Sequence, residues 1–361
     1  MKTTKIFMLA ALALSMAACS NNDNENENVA SGPREAVITA GINNPATRAL
    51  GSVWESDEIG VMVTAVSGTT AGVTSKMADL YKNVRYVTTA NTTDAATFTA
   101  TNPGTATVPG SSAAGQTPAY GIFFQDAKET VTFAAYGPYQ SSTDAATLPG
   151  TNSDGIISNI STENQNTRAL QKAFDFIYAS GATASNTSYT VQFKDGNAFS
   201  HKMSRLIIKF VASTDAGFAA DEVSKAGSTY SLTGLTHEGT FNVKTGEAQA
   251  TVPGSSAAGP TPWSLNTNSL KEVASDNSAV TFTSILYPQD HSTNGITVKA
   301  TIAGQTYEAT IKPNLESGKS YTYTITAKKQ GLEVSGCTVT DWTNGNGDNG
   351  EAGDATLPKN N

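Results

Sequence analysis

Apolar and polar positions alternate along most of this chain with a period of two. Ala36, Ile38, Ala40 and Ile42 share one face of a first segment. Ile59, Val61 and Val63 repeat the pattern, as do Val131, Phe133 and Ala135, then Val191 and Phe193, then Leu206, Ile208 and Phe210. The second half continues with Val298, Ala300 and Ile302, then Tyr307, Ala309 and Ile311, then Tyr321, Tyr323 and Ile325. Period two is the pattern of half-buried strands, and clusters of Gly, Asn, Asp, Ser and Pro between the runs read as turns. The best helical stretch is brief, at about Thr167–Phe174. Many short strands with such punctuation predict an all-β protein of antiparallel β-sandwiches.

Residues 331–342 break the rhythm. Leu332 and Val334 fall on one face, and Cys337 and Val339 fall on the other. The switch of phase at Ser335-Gly336 predicts a bulge or a bend. The decapeptide ATVPGSSAAG begins at 106 and again at 250, about one domain length apart. Equivalent loops on two related domains would explain it, and so would a local duplication. Residues 343–361 carry almost no large apolar side chain and read as a flexible tail.

Length and composition sharpen this reading. The 361 residues leave room for two domains at roughly 150 residues each. With 38% hydrophobic and only 15% charged residues, the chain has material for a sizeable core. Its net charge of −8, with no basic run, argues against nucleic acid as a partner. Two cysteines make no disulfide framework, and no CxxC pair offers a zinc site. His201, His237 and His291 lie far apart in sequence. Gly318-Lys319-Ser320 lacks the first glycine of a phosphate loop, since Pro313 stands there, and a strand follows it. Asp57 and Glu58 are adjacent, so a strand would point them to opposite faces as solvated groups. Asp348, Glu351 and Asp354 match no calcium-loop spacing. No cofactor, no metal and no catalytic residue is expected.

The N-terminus reads as an export signal. A short basic start is followed by a mostly apolar stretch, Ile6 to Ala18. That is shorter than the about 20 residues needed to cross a bilayer. Leu14-Ser15-Met16-Ala17-Ala18-Cys19 resembles a bacterial lipobox, with Met16 where leucine is usual. The resemblance implies cleavage before Cys19 and lipidation of that residue, which would tether the chain to a membrane. Ser20 to Asn28 is polar and acidic and reads as a disordered tether.

Further motifs resemble the fimbrillin-like proteins, subunits of type V pili. Thr47-Arg48-Ala49-Leu50 follows the first strand, and Trp54-Glu55-Ser56-Asp57-Glu58-Ile59-Gly60-Val61 follows that. Val131–Tyr136 resembles the family's F-x-A-Y strand, and Phe174–Ala179 its D-L-L-Y-A segment. His201–Leu206 sits at its H-x-M/L-x-K/R-L strand; Gly318–Tyr323 and Thr338–Trp342 match its closing strands. Each motif is weak alone, but together they span nearly the whole chain in the family's order.

The resemblance implies two tandem transthyretin-like β-sandwich domains with very little helix. The divisions expected are a signal peptide at 1–18, a lipidated tether and first strand at 19–48, sandwiches at 49–195 and 196–342, and the tail at 343–361. It also implies an assembly route. The lipoprotein reaches the outer membrane and cell surface through Cys19, and an Arg-specific protease cuts between Arg48 and Ala49. The first strand, with Ile38, Ala40 and Ile42, is then displaced, and another pilus subunit adds a strand in its place. Residues up to 48 hold four basic and four acidic side chains, so cleavage leaves the net charge unchanged. Thr-Arg-Ala-Leu recurs at 167–170, where Arg168 lies at a helix start and is expected to be protected. Leu332, Val334, Cys337 and Val339 are candidates for a donated strand or for the last strand of the second sandwich. A tail with only Ala352, Ala355 and Leu357 as apolar residues leans toward a tip or accessory position. The competing reading is a surface lipoprotein that binds host or bacterial glycans, with Trp54, Trp263 or Trp342 stacking on sugars.

Overall fold

The alternating segments fold as strands. A computed structural model describes residues 34–40, 54–55, 57–89, 91–92, 96–101, 120–158, 160–251 and 261–342. All of these belong to one compact unit, Pro33–Asn361. Its first sheet uses β1 (Val37–Ala40), β2 (Glu58–Ser67), β3 (Val84–Val87), β4 (Ala96–Ala100), β5 (Thr130–Gly137), β6 (Ile177–Ser185), β7 (Thr190–Phe193) and β8 (Ser200–His201). Their order in space is β7-β1-β4-β3-β2-β5-β6-β8. Strands β6 and β7 lie near opposite ends of that order, yet only residues 186–189 connect them. The sheet therefore rolls over on itself and encloses a core.

The second half adds β9 (Ser204–Ala212), β10 (Thr229–Thr233), β11 (Leu270–Val273), β12 (Ala279–Leu286), β13 (Ile296–Ile302), β14 (Gln305–Ile311), β15 (Lys319–Lys328) and β16 (Gly331–Asp341). One sheet runs β11-β12-β9-β15-β16, and the other places Trp263–Ser264, β10, β13 and β14 side by side. The neighbour pattern of β1–β7 recurs in β9–β15. In each half the first strand lies parallel to one neighbour (β7 or β15) and antiparallel to the other (β4 or β12). Strand β16 has no counterpart among the described strands of the first half.

Three helices of four or five residues are present among the described residues: α1 (Met77–Leu80), α2 (Arg168–Lys172) and α3 (Leu265–Asn268). Helix α2 falls inside the stretch with helical spacing. The Thr167 hydroxyl caps it by accepting from Leu170 N at 3.2 Å.

Burial follows the period-two pattern. One apolar cluster draws on Ala36 through Phe199, and a second on Leu206 through Ala327. A third joins the two halves. Strand β5 shows how one sequence serves two clusters. Val131, Phe133 and Ala135 enter the first, while Ala134 and Tyr136 enter the third. Both faces are covered, so this strand is apolar almost throughout. At the junction the Phe176 and Phe241 rings stack at 4.4 Å.

Three expectations change. The bulge in β16 is present: Tyr323 faces Cys337 and Ile325 faces Val334, so β16 carries one extra residue there. Gly336, at φ +123°, takes a backbone conformation that other residues resist. The extra residue brings Leu332, Val334 and Cys337 onto the same core, rather than onto opposite faces. Asp57 is not solvated: its carboxylate is buried and lies 2.6 Å from Lys172 Nζ, and Glu58 pairs with Arg85. The decapeptide copies lie almost wholly outside the described residues, and in chain order they do not fall at matching places in the two halves. One follows β4 and precedes β5; the other begins at the end of the strand Glu247–Ala250, between β10 and β11.

Candidate functional site

The first strand is second from one end of its sheet, with a partner on each edge. Ile38, Thr39 and Ala40 face Phe98, Thr97 and Ala96 of β4. On the other side Val37, Ile38, Thr39 and Ala40 pair in parallel with Thr190, Val191, Gln192 and Phe193 of β7. Among the described residues, β1 is the only sheet partner of β7. The approach to β1 is tied down as well. Ala36 N donates to Ile122 O at 2.8 Å, Phe124 N to Arg34 O at 2.9 Å, and Val37 N to Tyr189 O at 2.9 Å. The Thr39 hydroxyl donates to Val191 O at 3.2 Å. The Arg34 guanidinium lies 5.0 Å from the centre of the Tyr189 ring.

The side chains of this segment alternate as the sequence predicts. Ala36, Ile38 and Ala40 are buried in the first core, whereas Val37 is 36% exposed. Beside Ala36, Glu35 lies against Gly121, where an added Cβ would meet its carboxylate. Partial burial raises the Glu35 pKa. Strand β1 is therefore short and tightly seated. Burying Ile38 contributes about 1.5–3 kcal/mol. Each backbone hydrogen bond adds about 1 kcal/mol.

Ile38 and Ala40 thus occupy the seat the sequence assigns them. Cys19, Ile42, Arg48 and Ala49 lie outside the described residues. Arg168 is the first residue of α2 and approaches Glu272 at 3.9 Å. Leu332, Val334 and Cys337 pack on the second core from β16, and Val339 of the same strand is 40% exposed. Strand β16 forms one edge of its sheet, hairpin-paired with β15.

The end of β16 meets a buried polar cluster that sequence reading missed. The His201 and Asp175 side chains are buried, with Nδ1 and Oδ1 2.8 Å apart. The Trp342 ring stacks on His201 at 4.0 Å, nearly parallel, and the Arg205 guanidinium lies 5.3 Å from the centre of the same ring. Burial pulls Arg205 down to about 10, opposed by the nearby Asp175 carboxylate. Trp342 N donates to Gly318 O at 2.7 Å. Asp175, His201, Arg205 and Trp342 each fall inside a quoted motif, which was the available signal. Their meeting depends on long-range folding.

The tryptophans offer no face to a sugar. Trp54 is buried edge-on against Phe98 and Phe199. Trp263 is buried with its indole N–H donating to Glu163 O at 2.8 Å. Trp342 is buried under His201. Sugar stacking on these three rings is ruled out. Among the described residues no group of three His, Cys, Asp or Glu side chains converges to hold a metal.

His237 supplies a pH prediction. Burial pushes His237 down to about 4, partly opposed by a hydrogen bond with Thr162. In the unfolded chain it titrates at about 6.5. Between those values the unfolded state binds a proton that the folded state refuses. Stability is therefore lost as pH falls from about 6.5 toward 4. His237→Gln should flatten that part of the profile, read as urea midpoints at pH 7, 5.5 and 4.5.

Comparison with known proteins places this geometry. The sequence profile described as fimbrillin-like matches residues 47–342. The putative fimbrium subunit Fim1C of Bacteroides uniformis is 30% identical over 319 residues, covering 86% of this chain and 85% of that one. The crystal structure of a putative cell adhesion protein from Bacteroides ovatus is 26% identical, with a TM-score of 0.63, covering 87% of this chain and 100% of that one. A second such structure, from Bacteroides uniformis, shares the fold at a TM-score of 0.57 and 23% identity, covering 87% and 99%.

Proposed function

The chain belongs to the fimbrillin-like family, and from that premise we propose that it is a structural and adhesive pilus subunit assembled by exchange of its first strand. In this reading the precursor is exported as a lipoprotein on Cys19. An Arg-specific protease then cuts between Arg48 and Ala49, and the lipid, the tether and β1 leave together.

One observation carries the reading. Strand β1 is small, fully seated and paired on both edges, and it is the only described sheet partner of β7. Its departure leaves unpaired backbone groups on β4 and β7 beside the trough that held Ala36, Ile38 and Ala40. A strand from another subunit satisfies the backbone and refills the trough at once. With about 1 kcal/mol per hydrogen bond plus the apolar burial, such a joint is long-lived. The weakly apolar residues after Trp342 favour a tip or accessory position in the fibre.

The test is the N-terminus of surface-extracted material, read by mass spectrometry beside its migration in SDS. The expected result is a start at Ala49 in an SDS-resistant assembly, with Arg168 uncut. Material starting only at lipidated Cys19, and running as monomer, would overturn the reading.

A further inference from the structure

We propose that a polar groove in the second half, built around Asp290 and His291, binds a neutral saccharide through hydrogen bonds to its hydroxyl groups. The proposal deepens the adhesive part of the reading above and rests on it, but on no step of the exchange.

The groove has a volume of about 710 Å³, within the range of small-ligand sites. It lies where the end of β10, the strand Glu247–Ala250, the strand Gln289–Asp290 and the start of β13 meet. Its walls are held by backbone bonds. Thr251 N donates to Glu238 O, His291 N to Pro313 O and Gly295 N to His291 O, each at 2.9 Å. The site is therefore formed before any ligand arrives.

Gln289 sets the chemistry of the imidazole. Its Oε1 accepts from Thr236 N at 2.9 Å, and its Nε2 donates to Thr236 O at 2.9 Å and to Tyr287 O at 3.1 Å. These bonds fix which end of the amide is oxygen. That oxygen lies 2.8 Å from His291 Nε2. Nε2 therefore carries the ring proton, and Nδ1 is left as an acceptor. Among the described residues Nδ1 has no partner. Burial lowers the His291 pKa, opposed by the neighbouring Asp290 carboxylate, so the ring is neutral at pH 7. Ser292 N donates to Asp290 Oδ1 at 2.8 Å and holds that carboxylate ionised.

The rest of the lining is unspent. The hydroxyls of Thr236 and Thr297 and the amide of Asn294 make no hydrogen bond with another described residue. Hydroxyls and an amide that both donate and accept, beside two groups that only accept, match a ligand whose every hydroxyl does both. Other ligand classes fit poorly. No lysine or arginine lines the groove, and Asp290 repels anions. No phenylalanine, tyrosine, tryptophan, leucine, isoleucine or valine lines it either, so a lipid or an apolar peptide finds no wall.

The test applies the labelled, uncut chain at neutral pH to a printed array of neutral, sialylated and sulfated oligosaccharides. The best neutral glycan is then titrated by calorimetry. Neutral glycans should bind, and sialylated and sulfated ones should not. Asp290→Asn should weaken binding about tenfold. His291→Gln keeps a donor for Gln289 but removes the Nδ1 acceptor, and should weaken binding about fivefold. Lys299→Ala, outside the groove, should change nothing. Asp290 is exposed, so Asp290→Asn should melt with the parent, which separates lost binding from lost folding. EDTA should have no effect. Binding to no neutral glycan, a preference for anionic ones, unchanged affinity in both groove variants, or loss in EDTA would each overturn the proposal. None of these outcomes bears on strand exchange, which the N-terminus of surface material decides separately.

Discussion

Ile38→Asp should lower the stability of the intact chain by more than about 4 kcal/mol, the range reached when an unpaired charge is forced into a core. The mechanism is local to the seat. Ile38 is fully buried, and no positively charged group is bonded to it or paired with it in β4 or β7. With the strand expelled, β7 loses its only described partner and the first core opens to water. The measurement is urea unfolding of the full chain, with a second expectation attached. The uncut variant should bind a peptide of residues 33–43 that the uncut parent refuses. Val37→Asp is the matched control: its side chain is 36% exposed on the opposite face, so its effect should stay within about 0.5 kcal/mol. Equal effects at 37 and 38 would refute the alternating seat.

Asp175→Ala should cost about 1–3 kcal/mol, as expected when a buried hydrogen-bonding group loses its partner. It strips His201 Nδ1 of its partner and takes away the carboxylate that opposes the desolvation of Arg205. Trp342 rests on both of those side chains. The damage should therefore spread to the end of β16 and show as faster limited proteolysis near Trp342. Asp175→Asn keeps a hydrogen-bonding side chain and should lose less. Lys319→Ala, which removes only the exposed ion pair to Asp341, should leave proteolysis near Trp342 unchanged. If Asp175→Ala melts like the parent, the cluster does not hold the junction.

These two sites differ in how far the sequence reveals them. The seat of β1 was legible because Ala36, Ile38 and Ala40 announce a buried face within a few residues, and a strand needs nothing longer than period two to be recognised. The cluster around His201 was not. Asp175 and Trp342 stand on different strands far apart in the chain, and no local pattern says that they meet. Asp57 shows the same limit in reverse. Beside Glu58 it read as a surface acid, and it is the fold that buries it and brings Lys172 of α2 to its carboxylate.

The sequence by itself determined the all-β class, the strands from β1 to β16 that carry alternating apolar residues, the brief helix at α2, and the break of phase in β16. All of these follow from local periodicity and from the special backbone freedom of glycine. Only the tertiary structure decided which strands are neighbours. It placed β1 parallel to β7 and returned the same arrangement in β9 and β15. It also turned the broken phase of β16 into one continuous apolar face and buried the three tryptophans. Those outcomes depend on contacts between residues far apart in the chain, where the gain from burial must exceed the entropy of closing long loops. No run of neighbouring residues records that balance.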